Sequence, residues 1–182
     1  MDLAGLTGGA AAGAPAVESE TGAPVELSGN IDKSACYARN EDKAFPMSNL
    51  FIGDSVLGCK SDADEQLILH IAFQDFVKIK SIKFIAFQNG ADPASNPSKV
   101  HLYVNRTNLG FEDCEDVDAT QTLHLTAEDL KEDAPPINLK YVLYQRVTSL
   151  TLFIEVSATM DPRNVCLVTT YISSRDPPLY SP

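Results

Sequence analysis

The side chains whose types could do chemistry are three histidines, His70, His101 and His124, four cysteines, Cys36, Cys59, Cys114 and Cys166, and two acidic clusters. Zinc sites declare themselves by close local spacing of His and Cys. Here each histidine stands alone, so ordinary surface or half-buried roles are favoured over a shared metal. No two cysteines form a C-x-x-C pair, which removes the usual thiol-disulfide redox motif. Widely spaced thiols in a chain of this length fit a reducing compartment better than a disulfide framework. Asp62, Asp64 and Glu65 form a tight acidic group. Calcium takes about six to eight oxygens, and Asp62-x-Asp64 supplies only a start. A loop cap or a partner-binding edge is the preferred reading. The second acidic run holds Glu112, Asp113, Glu115, Asp116 and Asp118, with Phe111 directly beside it. A charge run is usually a solvated loop, but an aromatic flanked by acids is also a docking feature. The two readings stand level.

Other constellations are missing. There is no G-x-S-x-G elbow, no P-loop and no Rossmann glycine pattern. Paired carboxylates carry little information in a chain this acidic. No enzyme, cofactor or metal is therefore expected. The triplet Asn105-Arg106-Thr107 matches a glycosylation acceptor, but no signal-like start accompanies it. The formal net charge is -11 and the sequence pI about 4.6. Such a surface disfavours nucleic acid and anionic membranes. It fits a basic protein partner or simple solubility.

The elements that would position these residues follow from periodicity. Residues 1–24 are rich in Ala, Gly and Pro and are predicted to be a disordered leader. Residues 25–60 read as loop, with one short helical turn around 31–38. From residue 66 the period becomes two: Leu67, Leu69, Ile71 and Phe73 alternate with Ile68, His70 and Ala72. Asp75 is taken to mark a tight connection. Apolar parity then shifts between Ile79 and Ile82, which predicts a bulge or strand break near Ser81. Residues 88–98 are turn-rich. Val100, Leu102 and Val104 mark another strand, 105–119 an acidic loop, and Leu123 with Leu125 a short strand. Thr126 to Asp129 approximates a capping arrangement before one helical turn. Ile137–Gln145 is predicted as a strand with Leu139, Tyr141 and Leu143 on one face. Leu150, Leu152, Ile154 and Val156 give another strand, and Val165–Ile172 a weakly alternating last one. Six to eight short strands with almost no helix predict an all-β fold, an antiparallel β-sandwich or jelly roll. Its domain spans 25–173, followed by a loose tail at 174–182.

Several strings then resemble one family. Lys60 to Ile68 resembles the S-D-x-D-E-Q-L-L-I segment of PITH domains, and Ala72 to Ile79 their F-x-x-x-V-K-L stretch. Leu125 to Lys131 is similar to L-T-x-E-D-L-K. Leu139 to Ile154 is similar to L-K-Y-V-K-F-Q-N-V-x-S-L-T-I-F-I, and Cys36 with Asn40 fits a C-L-N region loosely. Residues 39–58 diverge, and the family's final strand is not recognisable after Val156. The resemblance implies a jelly roll similar to galactose-binding-like domains and a role without catalysis. It also implies association with the regulatory particle of the 26S proteasome, as a stand-alone or fragmentary member without the thioredoxin domain. A monomer in the cytoplasm and nucleus is expected. The candidate partner-binding surface is Asp62, Asp64, Glu65, Phe111, Glu112, Asp113 and Glu115. The alternative is a jelly-roll module binding a sugar or calcium.

Overall fold

A computed structural model describes residues 25–52, 57–86, 96–156 and 166–174. The expected leader and almost all of the expected tail lie outside these residues. Ten strands occur among the described residues: β1 (Val25–Glu26), β2 (Tyr37–Arg39), β3 (Cys59–Lys60), β4 (Gln66–Val77), β5 (Ser81–Ala86), β6 (Pro97–Val104), β7 (Gln121–His124), β8 (Ile137–Asn138), β9 (Val147–Val156) and β10 (Cys166–Ser174). They form two antiparallel sheets. One runs β2-β4-β9-β6-β7; the other runs β1-β10-β5-β8, with β3 also on β10. β1 and β3 share one edge of β10, at its opposite ends.

Alternation builds the core as expected. Leu67, Leu69, Ile71 and Phe73 of β4, Val100 and Leu102 of β6, and Leu150, Leu152 and Ile154 of β9 all point into one buried cluster. Ile82 and Phe84 of β5 and Ile172 of β10 join it from the facing sheet. Two facing layers of period-two strands bury their apolar sides against each other, and removal of that area from water drives the packing.

The parity shift has a definite meaning. β4 ends at Val77 in one sheet and β5 begins at Ser81 in the other. Residues 78–80 carry the chain across, with Val77, Ile79 and Ile82 all buried. Asp75 marks no connection, because β4 runs on through it. The ladder to β9 is instead irregular between Ala72 and Val77.

Four further expectations need correction. Residues 31–38 hold a turn and the start of β2, while 3-10 turns form at Ser28–Asn30 and Met47–Phe51. The acidic segment 105–119 is not only loop, since α1 (Phe111–Asp116) forms within it. Thr126–Asp129 keeps the expected reciprocal bonding, Thr126 N–H donating to Asp129 Oδ2 at 2.8 Å, but closes a turn without a helix. Ile137–Gln145 is a two-residue strand followed by a 3-10 helix, Tyr141–Tyr144. The reason is topological: β8 lies on β5, β9 lies on β4, and the chain must change sheets between them. Leu139 and Tyr144 are buried while Val142 and Leu143 are exposed, a spacing that no straight strand produces.

Candidate docking surface

The outer face of the β2-β4-β9-β6-β7 sheet is not bare. Ile68, Tyr103 and Phe153 form a second buried cluster with Leu109 and Cys114. The segment after β6 folds back over them. Tyr103 Oη donates to the Cys114 carbonyl at 2.8 Å, and the Phe111 ring meets Phe153 edge-on at 6.1 Å. α1 is thus held by what it covers. Its start is set by Asp113, whose carboxylate accepts the Gly110 N–H at 2.7 Å. Carboxylates in the first turn also suit the partial positive charge there. Phe111 is half-buried and faces the sheet; Glu112, Asp113, Glu115 and Asp116 face solvent.

The other acidic group stands on the loop leading into β4. Asn40 organises it from the left-handed region, at φ 64°. Its Nδ2 donates to Asp64 Oδ1 at 2.6 Å and to the Gln66 carbonyl at 2.7 Å, and its Oδ1 accepts from Ala63 N–H. Asp64 Oδ1 also accepts from Gln66 N–H. Asp64 therefore acts as the loop cap, while Asp62 is exposed and Glu65 partly so. No hydrogen bond or ion pair among the described residues joins this loop to the acids of α1. The seven candidate residues thus stand on two elements, the loop before β4 and α1.

The histidines have three different surroundings. His70 is buried, its Nδ1 is 2.8 Å from Thr151 Oγ1, and its ring stacks on Tyr37 at 4.6 Å. His101 Nε2 lies 3.1 Å from Glu155 Oε2, which also takes Lys99 Nζ at 2.9 Å. His124 is exposed on β7. Among the described residues, no three His, Cys, Asp or Glu side chains are grouped to hold a metal ion. Burial pushes the Cys36 and Cys114 thiols up, away from the reactive thiolate. Asn105, the glycosylation candidate, is committed to the fold: its Nδ2 donates to the Arg146 carbonyl at 2.9 Å. Among the described residues no helix is long and apolar enough to cross a membrane.

Burial holds the His70 imidazole below its ordinary value of 6.5. The unfolded chain then binds a proton that the folded chain refuses, so stability falls as pH drops below about 6.5. We expect the urea midpoint to decrease between pH 7.5 and 5.5, with a shallower decrease in His70→Gln. Equal slopes in the two proteins count against this account.

These two sheets, with one outer face roofed by a short helix, define an antiparallel jelly roll of the galactose-binding-like class. Solved structures of that class are similar in fold. The CBM32-1 and CBM32-2 domains of Clostridium perfringens ZmpB, in complex with GalNAc, match with TM-score 0.61 at 12% identity, over 84% of this chain and 36% of theirs. The family 32 CBM of C. perfringens NanJ, in complex with galactose, matches with TM-score 0.57 at 9% identity, over 84% of this chain and all of that one. At such identities the likeness carries the fold alone.

The family assignment comes from sequence: the PITH domain profile matches residues 17–170, and the chain belongs to the PITH domain family. Thioredoxin-like protein 1 of Schizosaccharomyces pombe is 32% identical over 149 residues, 79% of this chain and 51% of that protein. PITH domain-containing protein 1 of Homo sapiens is 41% identical over 56 residues, 31% of this chain and 25% of that protein. The chain spans about half the length, or less, of the curated relatives it matches.

Proposed function

We propose that this chain is a non-catalytic docking domain that associates with the regulatory particle of the 26S proteasome, in the cytoplasm and nucleus. The observation that carries the reading is the family match over residues 17–170, which spans both sheets. The surroundings of the reactive side chains support it. His70 and Cys114 are buried, and Glu112, Glu115 and Asp116 of α1 lie on the surface. A rigid sandwich presenting a short, firmly seated acidic helix suits recognition of a basic patch on a partner.

The test is affinity capture from cytosol with the tagged full chain, followed by quantitative mass spectrometry. Regulatory-particle subunits should be enriched. Reversing Glu112 and Glu115 to Lys should weaken capture several-fold, in line with rim charges that act on association. Asp113 is spared because it fixes the start of α1. Capture that never enriches those subunits sinks the reading, and unchanged capture by the double variant removes α1 from the contact.

A further inference from the structure

At one end of the sandwich the chain crosses between sheets twice, side by side. Ile79 N–H donates to the Tyr144 carbonyl and Leu139 N–H to the Lys80 carbonyl, both at 2.9 Å. Just before the first crossing β4 bulges. From Ala72 to Val77 it advances five residues (77 − 72), while β9 advances two, from Ser149 to Val147 (149 − 147). The three surplus residues leave the ladder, and Gln74, Asp75 and Phe76 all face solvent. Phe76 is 49% exposed, and on the neighbouring crossing Val142 is 82% and Leu143 46% exposed. The Arg146 guanidinium lies 4.4 Å from the centre of the Phe76 ring, a cation-π contact that steadies both. Three large apolar side chains are thus exposed on two adjoining crossings of the fold.

Its charge is opposite to that of the chain. Setting aside Lys78, which already has a partner, residues 74–82 and 137–148 contain Lys80, Lys140 and Arg146 but only one carboxylate, Asp75, within a protein of net charge -11. An aromatic and an arginine in contact, beside aliphatic side chains, are the residue types that dominate interface energies. We infer that this end is a second docking surface, for an acidic segment of a partner protein that inserts an aromatic or aliphatic side chain between Phe76 and Leu143. The inference rests on the docking reading above. The charge balance selects the partner chemistry, since a basic segment meets repulsion here and attraction at α1.

The experiment is NMR titration of the labelled full chain with a synthetic peptide of Asp and Glu around a central Phe-Leu pair. One control peptide carries Lys for the acids, and another carries Ala for Phe-Leu. The first peptide should shift Phe76, Val142, Leu143 and Arg146, and the controls should not. Phe76→Ser and Arg146→Glu should each raise the Kd about tenfold, the effect of losing one good anchor. Both side chains are at the surface, so melting temperatures should stay near wild type. Glu112→Lys should leave the titration unchanged. No shift at millimolar peptide, or equal shifts with the Lys peptide, overturns the inference. So does a dimer that dissociates in Val142→Asp, which names a second copy as occupant. A spin label at residue 10 that broadens Val142 and Leu143 names the chain's own first residues and overturns it too. Failure of proteasome capture by the wild-type chain sinks the earlier reading and leaves this titration to decide the surface.

Discussion

Replacing Phe153 with Ala should destabilise the domain by about 3 to 4 kcal/mol, the usual range for deleting a buried phenyl ring. Phe153 is 3% exposed on β9 and is the floor on which the segment after β6 rests. Its ring stacks with His101 at 5.7 Å and takes the edge of Phe111 at 6.1 Å. The inner core, on the opposite side of the same strand, is untouched by the change. The damage should therefore be uneven. The melting temperature should fall by about 6 to 16 °C. Amide exchange should rise most over residues 109–117, because α1 is too short to persist without its contacts. Phe153→Leu keeps most of the volume and should cost about 1 kcal/mol. Equal loss of protection across β4, β6 and α1 in Phe153→Ala would show that the roof is not a separate cooperative layer.

The second large effect is expected at Asn105. Its Oδ1 accepts from Thr148 N–H at 2.8 Å and from Thr148 Oγ1 at 3.1 Å, while its Nδ2 reaches the Arg146 carbonyl. It ties the end of β6 to the start of β9, and its φ is 54°. Alanine loses the side-chain bonds and must also adopt a left-handed backbone. Together these should cost about 2 to 3 kcal/mol. Glycine takes the backbone shape freely but lacks the bonds, so Asn105→Gly should lie between wild type and alanine. Urea melts of the three proteins order the effects. Identical values for Ala and Gly would mean that the positive φ costs nothing here.

How much of this was legible in the chain depends on which force sets each element. β4, β6 and β9 were readable because alternating side chains face one shared core, and a two-residue period records that directly. The crossing at 78–80 was readable as a parity shift for the same reason. α1 was not, because six residues hold no helical period, and Tyr103, Ile68 and Phe153 create it from another layer. Ile68 itself looked like the solvent side of β4 and is buried only because the later segment returns over it. β10 alternates weakly, yet its backbone pairs with β1 and β3 on one edge and β5 on the other, so ladder bonds define it. The acids were visible as charge, but the division of labour among them was not. Asp64 and Asp113 spend their oxygens on local N–H groups, which only the loop geometry reveals. Phe76, Val142 and Leu143 were missed as a surface. The signal available was Asp75-Phe76 interrupting a strand that otherwise resumes its core-facing pattern at Val77.

Val25 pairs directly with Ser174, so the described fold is entered and left through a single doorway. Opposed residues in an antiparallel ladder lie about 5 Å apart. Splicing 174 to 25 with a brief linker should therefore be geometrically cheap, and new ends could be opened in a surface turn elsewhere. The same adjacency suits the domain to grafting as a cassette into a host protein's loop, where both junctions would emerge together like the two wires of a plug.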